Sequence, residues 1–218
     1  MRLPHVALST PLLAGLALAV AAPSPAGAAL RSPQPLSLER GDTPIDGWAG
    51  WIVWSRRNDD GTYGLIARRP EGAAAELPLP RQRRPFDARV GPGPDGGPLV
   101  VVSRCATLSG ERPTGCDVWR VDPRTGATSP VASASRPDVD ERSPAVWGSR
   151  IAFQREVRPG DPSRTAIAVA PLDGSAPART TIAGPRHERR GGRRVAAASY
   201  GPGALDLHDR RLAFTWRV

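Results

Sequence analysis

The chain has 218 residues, of which 25 are proline and 23 are glycine. Because proline interrupts helices, this composition excludes a predominantly helical protein. The formal charge of +9 suggests an anionic partner. However, the chain contains no lysine and is rich in arginine throughout, which indicates a general preference for arginine rather than one dedicated basic surface.

Residues 1–28 have the pattern of a secretory signal peptide. Arg2 precedes an apolar stretch at 6–22, which prolines and small residues follow. A membrane anchor would need about 20 apolar residues and a basic flank. We therefore predict cleavage near Ala28, a secreted or extracytoplasmic protein, and no transmembrane anchor in the mature chain. Residues 29–43 are predicted to be a linker or a closing strand.

Four apolar segments then recur along the chain: GWIVWSRR (50–57), PLVVVSRC (98–105), SRIAFQRE (149–156) and RRLAFTWR (210–217). A second segment repeats behind two of them, with Pro123 and Pro171 lying 48 residues apart. The segments are rich in Val, Ile, Trp and Phe and are bounded by Gly-containing turns. This pattern predicts antiparallel hairpins.

Repeats of about 40 to 50 residues with four strands are typical of a β-propeller. A β-sandwich also has short strands and frequent turns, but it does not require matches at a fixed spacing. We predict an all-β fold, a partial β-propeller over 44–218, with about three complete four-stranded blades and the start of a fourth. The expected segments are blades 44–83, 84–135 and 136–183, an arginine-rich loop 184–197, and an incomplete blade 198–218.

Closed propellers typically have four to eight blades. The predicted blades are fewer, and RLAFTWRV stops inside a predicted strand. We therefore expect a fragment of a longer protein, or a domain whose ring is completed by missing blades or by another chain.

The stretch ERSPAVWGSRIAFQRE, followed by TAIAVAPLDGSA, resembles the TolB-type (WD40-like) propeller repeat. In that repeat a Ser-Pro-Ala segment leads through a turn to an Ile/Leu-Ala-Phe strand, and then to a strand that closes on Asp-Gly. The chain also resembles uncharacterised exported propeller proteins of high-GC bacteria, with PFD, SRC and GCD at Pro85, Ser103 and Gly115. The resemblance implies a fold but no activity, because propellers include both binding proteins and enzymes.

Cys105 and Cys116 are the two cysteines of the chain and bracket the loop of one predicted hairpin. A zinc site would need two further ligands of suitable type nearby. A catalytic redox pair usually has Cys-x-x-Cys spacing. We therefore predict a structural disulfide, in keeping with an exported chain.

Other chemistry-bearing residues give weaker signals. Asp138 and Asp140 are spaced like calcium ligands, but the complete ligand loop is missing. The NDDG stretch at 58–61 is interpreted first as a hairpin turn. No pattern indicates a catalytic His or Ser, and we predict no catalytic residue, no metal and no cofactor.

Two further features have alternative interpretations. The six tryptophans lie in or beside predicted strands, which favours packing in the core over an exposed ligand platform. The basic stretch PRHERRGGRR (185–194) contains no aromatic residue to stack on bases. This favours a solvated loop over a binding patch, and we predict no nucleic-acid partner.

We predict a noncatalytic, exported binding scaffold whose partner is a protein, a cell-envelope component or a small ligand. The alternative is a propeller enzyme, such as a glycosidase, lyase or other hydrolase, with its site in the central channel and partly in missing blades. Candidate channel-facing residues are Asp46, Asp87 and Asp206.

Overall fold

The computed structural model describes residues 39, 43–107, 114–161, 163–183, 187–196 and 201–217. The predicted signal peptide lies outside these residues. The strands in the described ranges, in chain order, are β1 (Ile45–Trp48), β2 (Trp51–Arg57), β3 (Tyr63–Arg68), β4 (Ala74–Glu76), β5 (Ala88–Pro92), β6 (Pro98–Thr107), β7 (Thr114–Val121), β8 (Thr128–Pro130), β9 (Glu141–Trp147), β10 (Arg150–Glu156), β11 (Thr165–Pro171), β12 (Arg179–Ala183), β13 (His187–Arg190), β14 (Arg193–Ala196), β15 (Gly201–His208) and β16 (Arg211–Arg217).

The strands form three four-stranded antiparallel meanders: β1–β4, β5–β8 and β9–β12. Two two-stranded sheets, β13–β14 and β15–β16, follow them. The described residues contain no helix, which confirms the all-β prediction. This succession of four-stranded meanders is consistent with a propeller-like fold.

The first strands of the three meanders contact one another in chain order, and the first strand of the third meander contacts the first strand of the β15–β16 sheet. β1 contacts β5, β5 contacts β9, and β9 contacts β15. The backbones approach so closely at Gly91 that a Cβ atom there would collide with the carbonyl oxygen of Val146. Glycine at this position therefore lets β5 and β9 pack together.

Three apolar cores lie between successive sheets. The first contains Val53 of β2 and Val100 of β6, and the second contains Val101 of β6 and Phe153 of β10. The third joins β9–β11 to β15 and includes Leu205. Because neighbouring residues of a strand point to opposite faces, a sheet covered on both faces needs an uninterrupted apolar run. This explains the VVV and IAF segments.

Part of the stretch predicted as an arginine-rich loop is regular structure. Residues 187–196 form the β13–β14 hairpin, which is a sheet of its own. No helix long and apolar enough to cross a bilayer occurs in the part of the chain that the structure describes.

We expect Phe153→Ala to lower the free energy of unfolding by about 3–5 kcal/mol, because it leaves a cavity between the second and third sheets. Phe153 is fully buried, whereas Phe214 is 39% exposed. Phe214→Ala is therefore the matched control and should cost less than about 1 kcal/mol. Urea denaturation measures both values, and equal losses would contradict the assignment of the core.

Candidate functional site

A cleft of about 350 Å³ opens beside the β6–β7 hairpin. Its wall consists of the start of β7, the segment 136–140 that leads into β9, and the end of β10. The charged residues that line it are Asp117, Arg136, Asp138, Asp140, Arg142 and Glu156. Four carboxylates therefore face two guanidinium groups in a chain whose overall charge is positive.

The disulfide braces one side of this cleft. Cys105 and Cys116 face each other directly across β6 and β7 and are joined by a disulfide, with their Cα atoms 3.8 Å apart. The predicted disulfide is thus confirmed. The Cys116 amide donates a 2.9 Å hydrogen bond to the Asp140 carboxylate. Because Cys116 and Asp140 are both buried, this bond ties the hairpin to the segment that precedes β9.

Two of the four carboxylates in the cleft already have cationic partners. Arg142 contacts Asp140 at 2.5 Å, and Arg136 contacts Asp138 at 2.9 Å. Neither Asp117 nor Glu156 forms an ion pair within the described residues. The negative charge that is left in the cleft therefore belongs to these two side chains.

Glu156 lies at the end of β10 and is 7% exposed. Its carboxylate accepts a hydrogen bond from the Gly160 amide, and its own amide donates to the Asp140 carbonyl. Burial raises the pKa of Glu156, and the nearby charge of Asp140 raises it further. Both effects penalise the anionic form, so a cation bound beside Glu156 would be favoured.

Asp117 lies opposite Arg104 across β6 and β7. The Arg104 guanidinium nevertheless stacks over the Trp119 ring, 4.2 Å from its centroid. This cation–π contact positions the guanidinium against the aromatic face. Arg104 forms no ion pair with Asp117 within the described residues.

A buried ion pair lies next to the cleft. Glu141 is fully buried and accepts a 2.9 Å hydrogen bond from Arg155, whose other nitrogen donates to the Ala134 carbonyl. Glu141 Oε2 has no hydrogen-bond partner among the described residues. Burial raises the pKa of Glu141 to about 7, against the opposing attraction of Arg155, and the charge of Asp117 adds to the rise.

No motif in the sequence marks Asp117, Glu141 or Glu156 as site residues. Asp138 and Asp140 stand out only because they are spaced like calcium ligands. The repeat did contain one signal for the cleft. When PLVVVSRC (98–105) is aligned with SRIAFQRE (149–156), Glu156 falls at the position of Cys105. The acidic end of one strand thus matches the disulfide-bonded end of the equivalent strand in the preceding sheet.

The candidate channel residues lie on or beside the first strands of their sheets. Asp46 is on β1 and Asp206 is on β15, whereas Asp87 directly precedes β5. The residues at equivalent pairing positions on β1, β5, β9 and β15 are Asp46, Arg89, Ala145 and Asp206. Their partners on the adjacent strands are Val53, Val101, Ala152 and Ala213.

The Asp46 carboxylate accepts a 2.7 Å hydrogen bond from the Val90 amide, which links the first sheet to the second. Burial raises the pKa of Asp46, whereas the Val90 amide and the charge of Arg89 lower it. Asp206 is close enough for its charge to contribute to the rise. The structure thus brings Asp46 and Asp206 near each other, and their role in a channel stays a prediction.

The other candidates with metal-binding chemistry have structural contacts. In the 58–61 turn the Asp60 carboxylate accepts hydrogen bonds from the amide and hydroxyl of Thr62. His208 lies against Trp147, with ring centroids 4.0 Å apart. No group of three or more potential metal ligands occurs within the described ranges.

The tryptophans serve mainly as core residues. Trp51 and Trp54 are buried, and the Trp54 indole donates a 2.7 Å hydrogen bond to Glu39. The other four are partly buried and pack against the first or third core: Trp48, Trp119, Trp147 and Trp216. These positions confirm the core interpretation over the ligand platform.

The comparison with solved structures gives a partial match. No family model and no curated protein matches the chain. A solved structure described as "putative TolB" from Agrobacterium tumefaciens matches with 15% sequence identity and a TM-score of 0.43. The match covers 72% of this chain and 46% of that one, so the chain spans about half the length of that structure.

We expect the stability of the protein to fall as the pH rises from about 5 to about 8. The folded protein keeps the Glu141 proton up to about pH 7, whereas an unperturbed glutamate releases it near 4.5. Between these values the folded state binds more protons than the unfolded state, so the free energy of unfolding decreases as the pH rises. Urea denaturation at several pH values measures this slope.

Glu141→Gln keeps an oxygen that can accept from Arg155 but does not titrate, so it should flatten the slope. Glu76→Gln is the control. Glu76 forms a surface pair with Arg81, and the hydrogen bond from Arg81 lowers its pKa, so it titrates below this pH range. A Glu141→Gln variant with the wild-type slope would contradict the role given to Glu141.

Removal of the disulfide should destabilise the fold and loosen the cleft. The double substitution Cys105→Ala and Cys116→Ala should lower the free energy of unfolding by about 3 kcal/mol, since the reduced chain regains loop entropy when it unfolds. Hydrogen exchange at the residue-116 amide should accelerate, because the hairpin that holds it is no longer cross-linked. Reductant acting on the wild-type chain should reproduce both changes, and unchanged exchange would show that the disulfide does not support the cleft.

Proposed function

We propose that this protein is a noncatalytic, extracytoplasmic binding scaffold, and that its acidic cleft binds a cationic side chain of a partner protein. The observation that carries the proposal is the pair Asp117 and Glu156. Neither carboxylate forms an ion pair within the described residues, and both line the same cleft.

The dimensions and charge of the cleft favour a lysine or arginine side chain. Its volume of about 350 Å³ lies near the lower end of the range of roughly 300–1,000 Å³ for ligand pockets. An ammonium or guanidinium group placed there would relieve the repulsion between Glu156 and Asp140. Charge-assisted hydrogen bonds to carboxylates are also stronger than those between neutral groups.

The cleft is held in shape before any ligand binds. The disulfide joins β6 to β7, and the bond from the Cys116 amide to Asp140 fixes the opposite wall. Ion pairs hold Arg136 and Arg142 in place on the same rim. A rigid site loses less conformational entropy on binding, which favours recognition of an exposed partner residue.

The proposed location rests on the disulfide and on the N-terminal sequence. Disulfides persist in oxidising compartments outside the cytoplasm. The apolar stretch at 6–22 has the composition of a signal-peptide core. A partner exposed in the cell envelope or outside the cell fits both features.

Calorimetric titration with a tetralysine peptide tests the cleft. Asp117→Asn combined with Glu156→Gln should weaken binding by up to roughly 30-fold, since each of the two lost charge pairs contributes up to about 1 kcal/mol. Wild-type affinity should also fall as the pH falls. Glu156 becomes protonated at a higher pH than an ordinary glutamate, because burial raises its pKa.

Glu71→Gln combined with Asp209→Asn is the matched control, because both residues are exposed and the change in net charge is the same. This variant should retain wild-type affinity within about twofold. An equal loss in both double variants would show that the peptide senses only net charge. Tighter binding of tetraglutamate than of tetralysine would overturn the proposed ligand class.

A further inference from the structure

Among the strand pairs that the structure describes, the β13–β14 hairpin is the one in which arginine pairs directly with arginine. It is a two-stranded sheet at residues 187–196, and its register pairs Arg189 with Arg194 and Arg190 with Arg193. Two successive cross-strand positions therefore carry an arginine on both strands. Arg189 and Arg193 are exposed.

The turn holds this register in place. Gly191 and Gly192 have φ values of 54° and 79°. Positive φ at both central residues is typical of a type I′ turn, which matches the twist of a two-residue hairpin. Glycine adopts this conformation without steric cost, so Arg190 and Arg193 are brought together at the tip.

The four arginines of the hairpin outnumber its one acidic residue, Glu188, so the arrangement is electrostatically unfavourable. Like charges directly opposite each other destabilise a strand pair, and an isolated two-stranded hairpin is at best marginally stable in water. An anion bound to this hairpin would offset the repulsion and stabilise the hairpin. The conformation is thus the one that an anionic ligand would select.

The chemistry of arginine limits the chemical class of the ligand. Guanidinium groups bind carboxylate, phosphate and sulfate in a bidentate manner. Consecutive positions of a strand lie on opposite faces, so the 189–194 pair and the 190–193 pair belong to different faces of the hairpin. A single small ion cannot reach both pairs, whereas a polymer with repeated anionic groups can contact both faces. The segment 187–196 contains no Phe, Tyr or Trp on which bases could stack. The disulfide indicates an oxidising compartment, where nucleic acid is a less common ligand.

We propose that the β13–β14 hairpin is an arginine arm that binds an acidic polysaccharide. This surface is separate from the acidic cleft and has the opposite charge. The arm would hold the protein on an anionic matrix, and the cleft would remain available for a cationic partner. The proposal does not depend on the function proposed for the cleft.

Binding of the full-length exported protein to dextran sulfate tests the arm, with neutral dextran of the same length as the reference. Substituting Gln at Arg189, Arg190, Arg193 and Arg194 should weaken binding by roughly 30-fold, from four lost charge contacts. The slope of log affinity against log salt should become shallower by about two to four, because fewer counterions are released.

The matched control substitutes Gln at four exposed arginines elsewhere: Arg57, Arg158, Arg179 and Arg211. It removes the same total charge and should weaken binding by less than about threefold. Equal losses in the two quadruple variants would overturn the arm as the site. Because the hairpin forms its own sheet, the melting temperature of the arm variant should not fall.

A second measurement uses the unmodified chain. Trypsin cleaves after arginine, so dextran sulfate should slow cleavage within 187–194, whereas neutral dextran should not. Absence of protection would overturn the proposal, even if the arm variant failed to fold. Tighter binding to single-stranded DNA, or to vesicles containing phosphatidylglycerol, than to dextran sulfate at equal salt would also overturn it and assign the arm to that polyanion.

Discussion

The architecture depends on the burial of each sheet on both faces. Val100 and Val101 are consecutive residues of β6, yet they belong to the first and the second core respectively. Phe153 and Ala152 of β10 divide in the same way between the second and third cores. Since neither face of the second or the third sheet can be left to water without losing apolar burial, the successive sheets must pack against one another.

This packing leaves polar groups at the junctions between sheets, where they must find partners. Ser55 exchanges two hydrogen bonds with the backbone of Phe86, and the Asp46 carboxylate accepts from the Val90 amide. Within the third sheet, Glu141 of β9 and Arg155 of β10 form an ion pair, and Arg155 also donates to the Ala134 carbonyl in the segment between β8 and β9. The acidic cleft lies beside this pair, where the segment that leads into β9 meets the disulfide-bonded hairpin. Its charge is therefore a consequence of how the second and third sheets meet.

The two proposed binding surfaces differ in charge and in how the fold supports them. The acidic cleft is a concave site whose walls are joined by a disulfide, ion pairs and a buried hydrogen bond. The arginine arm is a hairpin outside the four-stranded sheets, and the repulsion within it would make its conformation sensitive to anions. Under these two proposals, the chain would bind partners of opposite charge at separate surfaces.

The sequence by itself determined the strand content, the repeating unit and the disulfide. Apolar runs, turn residues and paired cysteines are local signals, and each depends on short-range chemistry. It did not fix the pairing register. The 48-residue spacing of Pro123 and Pro171 would align Cys116 with Arg164, whereas the structure places Cys116 level with Thr165, because Cys105 pairs with Cys116 and Glu156 pairs with Thr165. The cleft was likewise decided by tertiary structure alone. Asp117, Asp140 and Glu156 are distant in the chain, and only the packing of the sheets brings their charges together and buries Glu156 enough to raise its pKa.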